Sequence, residues 1–134
     1  MVYAIGDVHG CLAPLRNLVE NIKADATTAG EGETWIVLIG DYIDRGPQSA
    51  GVLDWLLAAP PRGFRRIALR GNHEEMMLDF LGRPRADHIW LRNGGDETLR
   101  SYGIEPQELS RLGGRALSHL VRAHIPGEHI ELLQ

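Results

Sequence analysis

Short apolar runs alternate with amphipathic helical patterns along the first part of the chain. The runs are Val2–Ile5, Trp35–Ile39 and Ile67–Leu69. Each run predicts a β-strand, and the uncharged middle run predicts a strand buried on both faces of a parallel sheet. Alternating strands and helices form parallel sheets with right-handed crossovers. The pattern therefore predicts an α/β fold with a parallel β-α-β-α-β core.

Helical spacing of apolar side chains follows each of these runs. Positions from Leu12 to Ile22 predict the first helix, where Pro14 is tolerable only in the first turn. Residues 29–33 are rich in glycine and predict a loop. Pro47 begins a second predicted helix, which Pro60 and Pro61 end. A third helix is predicted around Met76, Met77, Phe80 and Leu81.

The remainder of the chain is mainly helical in pattern. Asn93-Gly94-Gly95 predicts a turn. Residues from about Glu105 to about His124 predict a helix with a weak point at Gly113-Gly114. His129 precedes the apolar run Ile130–Leu133, so it would lie at the wrong end of any strand formed there to act as a ligand.

Composition narrows the class of protein. A length of 134 residues predicts one domain, residues 1–134. The single cysteine, Cys11, excludes an internal disulfide and favours a reducing, cytoplasmic location. No apolar run has the length of a membrane span, and a motif that begins at Gly6 leaves no room for a signal peptide. A net charge of −4 argues against a nucleic-acid partner.

A polar motif follows each predicted strand. In chain order the motifs supply Asp7 and His9, then Asp41, Asp44 and Arg45, then Asn72, His73 and Glu74. Ligands of parallel sheets bind outside the carboxyl ends of the strands, so we expect these side chains to converge at one edge. Each motif alone also fits a structural role, such as a strand-end turn or a surface ion pair. Together they predict a functional site.

The first candidates are metal ligands. Asp7 and His9, two residues apart on an extended segment, can bind one cation from one side. The two oxygens of Asp41 can bridge two cations, and Asn72 offers an amide oxygen. Oxygen and nitrogen donors favour Mn, Fe or Zn over metals that prefer thiolates.

The other candidates suit phosphate chemistry. The planar guanidinium of Arg45 matches a phosphate, and His73 titrates near neutrality, which suits proton donation to a leaving group. Glu74 is assigned to stabilising the positive end of a helix, and Arg70 to an ion pair. Two metals, an arginine and a histidine acid predict phosphoester hydrolysis.

The motifs resemble the signature of the calcineurin-like metallophosphoesterases. They are Gly6-Asp7-Val8-His9-Gly10, Gly40-Asp41-Tyr42-Ile43-Asp44-Arg45-Gly46 and Gly71-Asn72-His73-Glu74. The Asp-Arg-Gly and Asn-His-Glu forms are similar to the phosphoprotein phosphatase branch, which contains the serine/threonine phosphatases. Trp90-Leu91-Arg92-Asn93-Gly94-Gly95 resembles bacterial and bacteriophage lambda-type members.

The resemblance implies the N-terminal part of a four-layer α/β/β/α sandwich with two divalent metal ions, Mn first and Fe or Zn as alternatives. It implies that Asp7, His9 and Asp41 hold the first ion, and that Asp41 and Asn72 hold the second. A hydroxide between the ions would attack phosphorus.

Further roles follow from the same resemblance. Arg45 and Asn72 would bind the substrate phosphate. His73, oriented by Asp44, would protonate the leaving oxygen. The substrate would be a phosphoprotein or a small phosphoester, with no nucleic-acid or membrane partner.

The chain departs from the family pattern at its C-terminal side. The family needs two further histidines and a second arginine from a C-terminal half, and this chain reaches Gln134. His119 and His124 fall in a helical pattern and are expected to be surface or packing residues. We therefore expect a chain that lacks the C-terminal half, with self-association possible through the exposed face.

Three functions remain open at this stage. A serine/threonine phosphatase is favoured by Asp44 and Glu74. A symmetrical dinucleoside tetraphosphate hydrolase is the alternative enzyme. By resemblance, that family usually lacks an aspartate at the position of Asp44 and has aspartate at the position of Glu74. A non-catalytic metal- and phosphate-binding fragment is the third.

Overall fold

The structure, a computed structural model, describes residues 1–28, 30 and 32–134. Ala29 and Glu31 of the predicted loop lie outside the described residues. The elements in the first part of the chain are β1 (Val2–Ile5), α1 (Leu12–Thr28), β2 (Thr34–Leu38), α2 (Ser49–Leu57), β3 (Phe64–Ala68) and α3 (Asn72–Gly82). A π-helical turn (Leu91–Gly95), α4 (Asp96–Ser101), α5 (Pro106–Leu109), α6 (Gly114–His124) and α7 (Gly127–Leu133) follow.

The three strands form one parallel sheet in the order β1-β2-β3. Val2 lies opposite Trp35 and Ile5 opposite Leu38, while Thr34 lies opposite Phe64. The α/β class and the parallel β-α-β-α-β core are thus confirmed. Because the strand order equals the chain order, right-handed crossovers place α1 and α2 on the same face of the sheet.

Burial alternates along β2, and this corrects one prediction. Ile36 and Leu38 are fully buried against the helices, with Ile5 beside them. Trp35 and Val37 are only half-buried. The expectation that β2 is buried on both faces was therefore wrong, because α1 and α2 both cover the same face.

The opposite face of the sheet carries apolar side chains that water reaches. Its members, which we call the open face, are Val2, Ala4, Trp35, Val37, Ile39, Ile67 and Leu69. Val2 is 66% exposed, Ile39 54% and Leu69 49%. Isolated exposed apolar residues are ordinary, but a contiguous set is typical of a surface that another element or chain covers.

The C-terminal helices depart from the sequence prediction at two points. The helix expected over 105–124 is divided into α5 and α6, because Gly113 adopts an extended conformation at the start of α6. The run Ile130–Leu133 is helical in α7 and does not form a strand. The predicted turn is present as a kink, since Gly94 has a φ of 103° within an otherwise helical stretch.

The three histidines of this region differ in burial. His129 is buried, and its Nε2 lies 2.9 Å from Asp54 while its Nδ1 lies 2.7 Å from the Tyr102 hydroxyl, which links α7 to α2. His119 and His124 are exposed on α6, as expected. None of the helices in the described part of the chain combines the length and the apolar character that crossing a membrane requires.

Candidate active site

The loops that follow β1, β2 and β3 meet at the carboxyl edge of the sheet. The backbone N–H groups of Val8 and His9 both donate to the carbonyl of Asp41, each at 2.9 Å. A Cβ on Gly10 would lie 2.6 Å from the carbonyl oxygen of Gly46, so only glycine allows these two loops to approach this closely. Gly10 and Gly46 therefore let the first two loops touch, whereas nothing lies within 4 Å of the Cβ position of Gly6.

Four site residues adopt the left-handed backbone conformation without being glycine. They are His9, Asp41, Asp44 and Arg45, with φ values between 43° and 74°. Such a conformation costs on the order of 1–3 kcal/mol per residue and persists only where the surroundings enforce it. These four are all the positive-φ non-glycine residues in the part of the chain that the structure describes, and every one lies in the first two motifs.

The His9 imidazole has a defined tautomer. Its Nδ1 lies 2.8 Å from the carbonyl of Ile43, which can only accept, so Nδ1 carries the proton. Nε2 then carries the ring's lone pair, which accepts from Nη1 of Arg45 at 3.2 Å. A histidine fixed in this way by a backbone carbonyl has the arrangement of a metal ligand.

His9, Asp41 and His73 form a cluster of potential ligands whose donor atoms all lie within 4.8 Å of one another. Two imidazoles and a carboxylate fit a divalent cation of borderline softness. Asp7 lies outside this cluster: its Oδ2 is 3.8 Å from the Nε2 of His9, and its side chain is 65% exposed. Asn72 is exposed at the first position of α3.

His73 is held by a buried carboxylate. Its Nδ1 donates to Oδ2 of Asp44 at 2.7 Å, and its ring lies edge-to-face against His9 with centroids 4.7 Å apart. The Asp44 side chain is fully buried and that of His73 is 5% exposed. This arrangement leaves only Nε2 of His73 for chemistry.

Asp44 receives two more side-chain donors from a distant part of the chain. Trp90 Nε1 lies 3.0 and 2.8 Å from its two oxygens, and the Thr98 hydroxyl donates to Oδ1 at 2.7 Å. Burial raises the pKa of the Asp44 carboxyl above its ordinary value, while the hydrogen bonds from Thr98, His73 and Trp90 act in the opposite direction. The sequence analysis missed Trp90 and Thr98 as site residues, because only the fold brings them to Asp44.

Glu74 joins the second and third loops. Its fully buried carboxylate accepts from the backbone N–H groups of Asp41 at 2.8 Å, Tyr42 at 2.7 Å and Gly71 at 2.8 Å. Burial and the nearby Glu74 charge raise the pKa of the Tyr42 phenol to about 12. The assignment of Glu74 to the helix end alone was therefore too limited.

Arg45 is the exposed cation of the site. Its backbone N–H donates to the carbonyl of Gly94 at 3.1 Å, and its side chain reaches His9. Arg70 is also exposed, and it takes part in no ion pair among the described residues. The guanidinium of Arg45 thus lies beside the ligand cluster at the carboxyl edge of the sheet. An anion bound there would contact both the guanidinium and a metal ion held by the cluster.

Comparisons with known proteins identify the family of the chain. The family model of the calcineurin-like phosphoesterases matches residues 1–128. Serine/threonine-protein phosphatase 1 of Salmonella typhimurium is 38% identical over 95 residues, which cover 71% of this chain and 39% of the relative. The symmetrical bis(5'-nucleosyl)-tetraphosphatase of Legionella pneumophila is 36% identical over 122 residues, which cover 90% of this chain and 37% of the relative. The chain thus spans about two-fifths of the length of these curated relatives.

A solved structure supports the fold. The crystal structure of a protein described as a diadenosine tetraphosphatase matches 98% of this chain and 40% of its own, with a TM-score of 0.52 and 23% sequence identity. At this identity the likeness concerns the fold alone. Since the family model covers nearly all of the sequence, the chain belongs to the calcineurin-like phosphoesterase family.

Proposed function

We propose that the protein containing this chain is a metal-dependent phosphoester hydrolase, and that its substrate is a phosphoserine or phosphothreonine protein. The observation that carries the proposal is the buried Asp44–His73 pair beside the His9–Asp41 cluster. A histidine oriented by a carboxylate can act as a general acid, and beside metal ligands it would serve a leaving oxygen.

The metal ligands in this proposal are Asp7, His9 and Asp41 for one divalent ion, and Asp41 with Asn72 for a second. Mn is the proposed ion, and Fe or Zn would suit the same donors. When bound, such ions activate a water molecule as the nucleophile and neutralise phosphate charge. The short distance between the donor atoms of His9 and Asp41 supports their part in this assignment, and Oδ2 of Asp7 lies 3.8 Å from Nε2 of His9.

The remaining roles concern the phosphate and the proton. Arg45 and Asn72 bind the phosphate, since both side chains are exposed at the edge where the loops meet. His73 gives the proton on Nε2 to the leaving oxygen, and Asp44 keeps the ring in the orientation that places this nitrogen outward.

The alternative enzyme is a symmetrical dinucleoside tetraphosphate hydrolase. The relative with that name matches a larger share of this chain than the protein phosphatase does. Asp44 and Glu74, however, carry the pattern of the protein phosphatases. A phosphoprotein partner belongs to the same proposal. So does a cytoplasmic location, which the single cysteine favours because disulfides are rare in reducing compartments.

Turnover measurements test these functions. The chain, and a version extended at its C-terminus, would be assayed with Mn²⁺ against an aryl phosphate, a phosphoserine peptide and diadenosine tetraphosphate. We expect hydrolysis of the first two by the extended protein. Hydrolysis of the dinucleotide alone would support the alternative enzyme. Metal binding without any turnover would support a non-catalytic fragment.

A further inference from the structure

Residues 90–98, which we call the 90–98 segment, supply most of the side-chain donors to the Asp44 carboxylate. Trp90 is fully buried, and its indole N–H contacts both oxygens of that carboxylate. Thr98 is also fully buried and donates to Oδ1. These donors lie 46 and 54 positions from Asp44 along the chain, so only the tertiary fold brings them to it, with α4 packed against α2.

A buried carboxylate without partners is unstable, because burial removes the water that solvates its charge. Within the catalytic motifs, the side-chain partner of Asp44 is His73. Trp90 and Thr98 therefore keep the carboxylate in place and free to accept from the imidazole. Their removal would leave one hydrogen bond to fix both the carboxylate and the ring.

Thr98 makes a second contact that fixes the backbone of the same residue. Its hydroxyl oxygen accepts from the Asp44 N–H at 2.9 Å, while its proton goes to the Asp44 carboxylate. One hydroxyl thus bridges the main chain and the side chain of a residue whose φ is 74°. The Ser49 hydroxyl lies 3.0 Å from the same N–H and can share it.

We propose that Trp90 and Thr98 are positioning residues of the catalytic centre, which fix the Asp44 carboxylate and through it the orientation of the His73 imidazole. The proposal rests on the function proposed above for the Asp44–His73 pair. It adds residues outside the three motifs to the machinery of proton transfer. The same segment also holds Arg45, because the carbonyl of Gly94 accepts the Arg45 N–H.

Three variants separate the donors from the packing. Thr98→Val removes the hydroxyl with little change of shape, Thr98→Ser restores it, and Trp90→Phe removes the indole N–H. Matched controls lie away from the site: Thr34→Val at the amino end of β2, and Trp55→Phe on α2 beside Arg66. Thermal unfolding would establish which variants are folded.

The first measurement needs no turnover. The proton on Nδ1 of His73 donates to a buried carboxylate, so proton and nitrogen NMR of the full chain should show it as a protected, strongly downfield signal, assigned by its loss in Asp44→Asn. We expect the signal to persist in Thr98→Ser and both controls, and to be lost or shifted in Thr98→Val and Trp90→Phe. An unchanged signal in folded Thr98→Val would overturn the proposal. If Trp90→Phe does not fold, the two Thr98 variants decide.

The second measurement uses Mn²⁺-dependent hydrolysis of an aryl phosphate by the extended protein. In Thr98→Val we expect kcat to fall about tenfold or more, below the roughly 10²–10⁴-fold that loss of a general acid costs, with KM unchanged. Thr98→Ser should restore kcat. A change in KM alone would contradict a role through His73. If the unaltered protein hydrolyses no phosphoester, the proposed function fails, and the NMR result still decides the positioning role.

Discussion

Asp44 shows how much the environment of one residue determines its chemistry. Its carboxylate lies inside the protein, where the charged form is costly, and side-chain donors on both oxygens offset that cost. Thr98 and Trp90 hold this carboxylate in one orientation through their hydrogen bonds. The backbone carbonyl of Ile43 holds the His9 ring in one orientation in the same way. The residues expected to do chemistry are thus fixed by neighbours that do none.

Replacing Asp44 with asparagine tests the proposed role of the carboxylate at this scale. In the extended protein, Asp44→Asn should lower kcat by up to roughly 10²–10⁴-fold, since His73 loses its orienting charge. Metal content should not change, because Asp44 is not among the proposed ligands. Atomic emission and steady-state kinetics measure the two quantities. Loss of metal from the variant would show that Asp44 is itself a ligand.

An Asp–His pair outside the site provides the control for that experiment. Asp54 lies 2.9 Å from the buried His129, and its side chain is 70% exposed. Asp54→Asn should leave kcat unchanged, because this pair contacts neither the ligand cluster nor the residues that donate to Asp44.

Glu74 offers a second test at the residue scale. Its carboxylate accepts three backbone N–H groups, and in Glu74→Gln the amide nitrogen would face at least one of them. We expect urea unfolding to show a loss of about 1–3 kcal/mol, the cost of leaving a buried polar group unsatisfied. Glu75→Gln is the control, since Glu75 is exposed in the same helical turn. Equal losses in both variants would mean that only the helix-end charge matters.

At the scale of elements, the kink at Gly94 determines how closely the π-helical turn approaches Arg45. A Cβ at this position would lie 2.7 Å from the Arg45 backbone nitrogen, and φ is 103°. Gly94→Ala should therefore displace Arg45 and raise KM for an aryl phosphate on the order of tenfold, as expected from weakening one charged hydrogen bond. Steady-state kinetics of the extended protein would measure this change.

Gly103→Ala provides the comparison for Gly94→Ala. Gly103 also has a positive φ, 79°, but nothing lies within 4 Å of its Cβ position. Both variants should lose about 1–2 kcal/mol of stability from backbone strain alone. KM should change only in Gly94→Ala, and a change in both variants would point to general loosening of the fold.

Elements differ in how well the sequence predicts them. The strands and the first three helices follow from apolar runs, proline positions and glycine-bracketed motifs, which determine local structure directly. The run Ile130–Leu133 is too short for its period to separate strand from helix. The contacts of Trp90 and Glu74 depend on which distant loop reaches them, and periodicity does not contain that information. Convergence of the motifs was predictable, because parallel strands bring their carboxyl ends to one edge.

The open face carries a prediction for the whole molecule. Its apolar side chains belong to all three strands, and an unprotected sheet surface promotes association. We expect the isolated chain to self-associate in light scattering, and Ile67→Lys to lower the observed mass. Leu18→Lys on α1 is the control, since Leu18 is 43% exposed and Ile67 40%. A monomeric unaltered chain would contradict this use of the surface.

Metal stoichiometry is also a property of the whole molecule. We expect Mn²⁺ titration calorimetry to show one ion bound more tightly than a second, because the first proposed set has three ligands and the second only Asp41 and Asn72. His9→Ala should remove the tight ion, whereas Asn72→Ala should leave it in place. Two equally tight sites per chain would contradict the proposed ligand sets.

The order of the strands in the sheet has a consequence for biosynthesis. Each new strand pairs with the strand made just before it, so the sheet can assemble in the order in which the ribosome releases the chain. His9, Asp44 and His73 would then meet before Trp90 and Thr98 emerge. During that interval the Asp44 carboxylate would lack two of its partners and would remain hydrated. We therefore expect closure of the 90–98 segment over Asp44 to be a late step of folding, after the three strands have paired.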